Sequence, residues 1–256
     1  MMRRELGYFL GAVGFFTRLP VPGWVGHSAA ALSQCARYFP AVGLLVGGIG
    51  ALVYWLALHL WPQPVAVLLS MAATLYATGA FHEDGLSDTA DGLGGGWDKA
   101  RILAIMKDSR VGSYGVVALV LALLGKFVLL SGIDAGLVPA ALLAGHAVSR
   151  FCATLLMATL DYARDDESSK ARPATGRPSL ASLLLAAYFA LLPLILLPLA
   201  NVLAGVALAA LAMAWLAAKF RRWLGGYTGD CLGAVQQVTE VVFYLGLMAN
   251  LTALSA

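Results

Sequence analysis

The sequence predicts an all-α polytopic membrane bundle, about seven transmembrane helices with short interfacial helices, forming one domain over residues 1–256. Three observations carry this. The 256 residues are 60% apolar and only 12% charged, with a mean hydropathy of +0.80, far from a soluble globular composition. Apolar runs near 20 residues recur, the length a helix needs to cross about 30 Å of hydrocarbon. The connections between those runs alternate between ones that carry lysine and arginine and ones that carry none.

The elements follow in order. The start, Met-Met-Arg-Arg-Glu, has the positive flank of a signal peptide. Its apolar run is broken by Arg18, Pro20 and Pro22 and lacks a small-residue cleavage site, so it is expected to be retained. Residues 6–16 are too short to span and read as an interfacial or re-entrant segment. The prolines at 20 and 22 force an extended turn, and a modest helix is expected over 28–37. Residues 42–61 are the first clear span. The uncharged turn Trp61-Pro62-Gln63-Pro64 returns the chain through 65–81 to an acidic stretch. Residues 98–107 predict a short amphipathic surface helix, with Ile102, Leu103, Ile105 and Met106 toward one side and Asp98, Lys99 and Arg101 toward water. Spans are expected over 116–130, 137–160, 180–199, 202–220 and 232–254, with Pro193 and Pro198 kinking the third of these. Residues 161–178 form a polar loop.

Placing the N-terminus inside assigns every one of the loops bearing Arg3, Arg4, Lys99, Arg101, Lys107, Arg110, Arg164, Lys170, Arg172, Arg177, Arg221 and Arg222 to one side. The opposite turns, at 61–64, 131–136 and around Asn201, hold no lysine or arginine. The positive-inside rule then predicts a bacterial inner membrane protein with its acidic stretch facing the cytoplasm. A net charge of +3 with no basic stripe excludes nucleic acid as the expected partner. Cys35, Cys152 and Cys231 show no paired spacing and read as small core residues rather than a disulfide framework or zinc site.

The acidic stretch, F-H-E-D-G-L-S-D-T-A-D-G over 81–92, concentrates the chemistry. Glu83, Asp84, Asp88 and Asp91 are four of the 14 carboxylates, within nine residues. In a helix Asp84, Asp88 and Asp91 share one face, which repels itself unless a cation binds there. Oxygen-only ligands suit Mg²⁺, which keeps waters and bridges carboxylates to substrate phosphate. Gly85 and Gly92 argue for a short or interrupted helix. His82, beside these acids, is a candidate ligand or proton shuttle.

A second cluster, Met106-Lys107-Asp108-Ser109-Arg110-Val111-Gly112-Ser113-Tyr114-Gly115, precedes a span and reads either as an anion site or as a positive-inside flank. In the first reading Lys107 and Arg110 neutralise phosphate while the amides of Gly112 and Gly115 approach it at a helix N-terminus. A third, Gly225 to Gly233, offers Thr228 and Asp230, with Asp230 equally a helix cap or a further ligand. Glu240, Lys126 and Arg150 fall inside spans, where ionisable groups are either functional or paired with one another. The combination suits a diphosphate substrate attacked by a hydroxyl.

These motifs, with F-F-T-R-L-P-V-P near the start, resemble the cobalamin synthase family, the adenosylcobinamide-GDP ribazoletransferases. The resemblance covers nearly the whole chain, with the four motifs in order. It implies an enzyme that joins adenosylcobinamide-GDP to α-ribazole or its 5′-phosphate with Mg²⁺, releasing GMP. Carried over, Glu83, Asp84, Asp88 and Asp91 match the family's acidic motif, and Asp108, Arg110 and Asp230 its two later ones. Ser87 stands where alanine is usual, and Glu83 at a position that varies. Metal ligands are then expected among Glu83, Asp84, Asp88, Asp91 and Asp230, and a proton acceptor among Asp88, Asp91 and His82. An intramembrane prenyltransferase and a CDP-alcohol phosphotransferase are alternatives that fit the motif spacing less well, and an ion-coupled transporter is one that would place its carboxylates mid-bilayer rather than at the cytoplasmic edge.

Overall fold

The computed structural model describes residues 2–25, 34–164 and 177–249. Ten α-helices account for most of them: α1 (Met2–Phe16), α2 (Phe39–Leu58), α3 (Gln63–Thr78), α4 (Phe81–Gly95), α5 (Lys99–Met106), α6 (Ser113–Gly132), α7 (Val138–Thr159), α8 (Leu180–Leu191), α9 (Leu199–Leu224) and α10 (Gly229–Leu247). The described residues form no strand beyond an isolated parallel bridge between Tyr162 and Tyr227. The chain is an all-α multi-pass membrane protein, as composition and apolar runs predict. The helix expected over 28–37 falls largely outside the described residues; a 3₁₀ turn, Ala36–Tyr38, leads into α2.

Four helical segments are long and apolar enough to cross a membrane: Ala36–Leu58, α6, α7 and α9. A fifth follows if α3 and α4 count as one broken span. Seven crossings are expected from the sequence, and the difference has physical causes. The run at 180–199 is helical for 12 residues and then tightens into a 3₁₀ turn, Leu192–Leu196, at Pro193. The run at 65–81 ends at Thr78, and its continuation swings away. The final helix, α10, buries Gln236, Gln237, Thr239 and Glu240, which lowers its apolar content although those groups face protein rather than lipid.

Close backbone approach builds the interior. A Cβ on Gly47 would stand 2.7 Å from the Leu142 carbonyl oxygen, and one on Gly43 would collide with that of His146. This small-residue spacing seats α2 on α7. At the far side Gly205 of α9 meets Gly246 of α10 in the same way. Helix α10 also packs on α4, α6 and α7, which makes it the post around which the site is arranged.

Candidate functional site

The site begins with a break. Helix α3 ends at Gly79, whose φ of 64° is left-handed, and Ala80 follows at φ 57°. Two left-handed residues in succession cannot continue a right-handed helix. The chain therefore restarts as α4 at an 86° bend. Arg18 secures the corner, its backbone N–H donating to the Ala77 oxygen at 2.8 Å. The turn lays the acidic helix across one end of the bundle.

Helix α4 runs unbroken from Phe81 to Gly95, contrary to the interruption its glycines suggest. Those glycines serve contact instead. A Cβ on Gly85 would lie 2.9 Å from the Asp230 carbonyl oxygen and 3.2 Å from the Gly233 Cα, so α4 and α10 cross backbone to backbone. That crossing carries Asp230 to the acidic face. Gly92 similarly admits Met106, and Gly94 the ring of Tyr114.

Asp88 lies at the centre of the resulting cluster. Burial first, and then the charges of Asp84, Asp230 and Asp91, push its carboxyl up to about 7, with Arg164 acting against them. Asp84 is exposed and Asp88 half-buried on the same face. Asp230 turns toward Arg164, oxygen to nitrogen 2.8 Å. The capping role belongs to its neighbour: Thr228 accepts from the Cys231 amide at 3.3 Å and is fully buried, so Thr228 is occupied by the start of α10 rather than offered to a substrate.

Asp91 is placed differently. Its two oxygens accept the backbone N–H groups of Gly112 at 2.7 Å and Gly115 at 2.9 Å. The amides expected to cradle phosphate thus cradle a carboxylate supplied by α4. The reason is the ordinary need of a helix N-terminus for an anionic acceptor, since Gly112, the residue before α6, has no side chain to cap with. Asp91, Gly112 and Gly115 form a structural clasp in which each Asp91 oxygen is engaged by an amide. Arg110 also has a partner. Its guanidinium spans both oxygens of Asp108, the shortest contact 2.6 Å, on an exposed loop, and that grip holds the Asp108 carboxyl down at about 2. Lys107 is exposed on the same loop.

His82 and Glu83 leave the carboxylate group altogether. At 100° per residue, His82 stands roughly 200° around α4 from Asp84. Its ring stacks on Phe16, 5.3 Å between centroids and 18° between planes. Glu83 points into the bundle, where its Oε1 accepts from Gln237 at 2.8 Å and its Oε2 is buried without a partner. Among the described residues no three His, Cys, Asp or Glu side chains converge to hold an ion by themselves. The five-carboxylate ligand set therefore resolves into one acidic trio, Asp84, Asp88 and Asp230, plus two acids used elsewhere.

Behind α4 the interior carries its own charges. Glu240 meets Lys126 at 3.2 Å, accepts from Gln236 at 2.5 Å and from Tyr244 at 3.1 Å, and lies 3.6 Å from His146. Arg150 donates to the His146 carbonyl at 3.0 Å. Of the two readings of these intramembrane groups, pairing is the one seen for Glu240 and Lys126. A separate cleft opens between α1, α2, α4, α7 and α10, walled by Phe15, Phe16, Phe39 and Phe81, with Tyr162 and Tyr227 also on its lining and Ala153 among the smaller residues. His82, Arg150 and Gln236 are its polar lining. Sequence reading misses this cleft, and Arg164 too, because both depend on residues far apart in the chain; the one local signal is the density of aromatics at 15, 16, 39 and 81.

A family model described as Cobalamin-5-phosphate synthase matches residues 8–248. The chain belongs to that family. Among curated relatives, the adenosylcobinamide-GDP ribazoletransferase of Shewanella woodyi is 46% identical over 251 residues, covering 97% of this chain and 98% of its own. That of Shewanella piezotolerans is 47% identical over 250 residues, 96% of each, and that of Shewanella frigidimarina 46% over 251, covering 96% and 95%. No solved structure matches. The matched span of this Cobalamin-5-phosphate synthase family member takes in the kink, the acidic trio, the Asp91 clasp and the aromatic cleft together.

Proposed function

We propose that the chain joins adenosylcobinamide-GDP to α-ribazole, or to its 5′-phosphate, releasing GMP and forming adenosylcobalamin or its phosphate. The names of its relatives supply the substrates. The observation that carries the chemistry is the acidic trio at the α4–α10 crossing, whose three carboxylates outnumber the cation paired with them among the described residues, Arg164. Such a donor set of hard oxygens fits Mg²⁺, an ion that takes few protein ligands and completes its shell with water and phosphate. Asp84 and Asp230 would hold it. Bound there, Mg²⁺ supplies neutralisation of the diphosphate charge.

The remaining work falls to the protein's own groups. The ribose 3′-hydroxyl of the acceptor attacks the phosphorus attached to cobinamide, the bond from that phosphorus to the GMP oxygen breaks, and the hydroxyl proton passes to Asp88. Of the three sequence candidates for proton acceptor, Asp91 is committed to two amides and His82 stacks on Phe16, which leaves the half-buried Asp88 on the acidic face. Lys107, Arg110 and Arg164 steady the leaving phosphate, Arg110 by exchanging Asp108 for phosphate oxygens. The lysine and arginine asymmetry supports a site facing the cytoplasm of the bacterial inner membrane. Outward leucines such as Leu121, Leu124, Leu203 and Leu211 meet lipid. Purified protein given adenosylcobinamide-GDP, α-ribazole and Mg²⁺ should release GMP. Absence of GMP at any Mg²⁺ concentration, with the protein folded, overturns the assignment.

A further inference from the structure

The aromatic cleft behind α4 has the build of a ligand site, and the reaction just described has no use for it as it stands. Phe16 meets Phe39 edge-on at 4.5 Å and Phe81 at 5.7 Å, while its face lies on His82. These contacts hold the His82 ring flat against one wall. His82 is 4% exposed, yet among the described residues neither ring nitrogen has a hydrogen-bond partner. Arg150, 2% exposed, lines the inner wall with a buried Nε–H that lacks an acceptor. A buried unmatched donor costs stability unless something fills its need. Flat rings with unspent donors suit a planar heterocycle carrying an acceptor nitrogen. A lipid acyl chain would leave both polar groups unmatched. Gly229 lines the cleft and the next residue, Asp230, belongs to the acidic trio, so one turn of α10 serves both sites.

We infer that this cleft binds the flat heterocyclic end of the ribazole acceptor, between the aromatic wall and His82, with Arg150 at its inner end. The inference rests on the ribazoletransferase reading for the name of the ligand, and its test is a binding measurement that needs no turnover. Full-length protein in detergent is dialysed to equilibrium against α-ribazole without corrinoid or Mg²⁺. Wild type should bind saturably. Ala153→Leu, which fills the cleft, and His82→Phe, which keeps a ring but removes its nitrogens, should each weaken binding roughly tenfold or more, the scale expected for losing one stacked heterocycle contact. In turnover, both should raise KM for α-ribazole and leave KM for adenosylcobinamide-GDP unchanged. Size-exclusion profiles check folding, and His82→Phe decides the matter if Ala153→Leu does not fold. No saturable binding by wild type, or wild-type affinity in the folded variants, overturns the inference. So does loss of a co-purified phospholipid, seen by native mass spectrometry, with ribazole binding unaltered. If wild type binds α-ribazole but releases no GMP, the transferase reading falls and the cleft stands; if it releases GMP while the variants keep wild-type binding, the cleft falls and the reading stands.

Discussion

Asp88 and Asp91 are three residues apart and have opposite thermodynamic signs. The Asp91 carboxylate receives two amides, so Asp91→Asn, with one carbonyl oxygen in place of two, should lose about 1–2 kcal/mol of stability, the usual scale for a helix cap. A melting temperature at or above wild type would show that the clasp contributes nothing. Asp88 has no such compensation. Its carboxyl is raised from 3.8 to about 7, so the folded state keeps a proton that the unfolded chain gives up. Between those values the unfolded state binds fewer protons, and stability therefore falls as pH rises and stays low above pH 7. In metal-free detergent Asp88→Asn should melt higher than wild type at pH 8, with the gap closing as pH drops toward 4. Identical melting at pH 8 would contradict the crowding of acids around it. Mg²⁺ should narrow the gap from the wild-type side.

Among the elements, the α4–α10 crossing sets the site's geometry. Gly85→Ala places a methyl 2.9 Å from a carbonyl oxygen and 3.1 Å from the Asp230 Cα, and backbone cannot swing aside as a long side chain does. The helices must part by a few tenths of an ångström, at a cost of about 1–3 kcal/mol, and Asp230 should move off the acidic face. We expect folded protein with a raised Mg²⁺ requirement. Unchanged activity and unchanged melting would mean that the crossing is looser than described. The shared face of the carboxylates at 84, 88 and 91 was readable from their spacing, given a helix, whereas the unbroken helix itself was not, because Gly85 and Gly92 argued for a short or interrupted one. What those glycines do was not readable. A glycine that ends a helix and one that admits a neighbour look alike until the neighbour is known, and Gly233 lies nearly 150 residues from Gly85.

For the molecule as a whole, the apolar runs made the bundle legible, and the charge asymmetry gives it an expected orientation. Cysteine placed at position 88 or 107 should react with a membrane-impermeant maleimide only after the cytoplasmic side is opened. Labelling from outside intact cells would invert the topology. The count of crossings was less legible, since hydropathy cannot tell a polar residue facing water from one facing protein. Helix α10 carries Gln236, Gln237 and Glu240 inside, and only the tertiary arrangement explains why they are tolerated. The partition of the five acids was hidden for the same reason. Sequence proximity grouped Glu83 with Asp84, yet one faces Gln237 in the interior and the other faces solvent.

The clasp between Asp91 and the amides of Gly112 and Gly115 also bears on how this chain can be recombined with its relatives. Two stretches that look like independent motifs are halves of one joint, with the surface helix α5 looped between them. A chimera whose crossover falls between residues 92 and 111 takes its carboxylate from one parent and its receiving turn from the other, so it survives only where both parents place the joint in the same register. Crossovers at 61–64 or around 198 cut turns outside this joint and are the more permissive places to exchange segments.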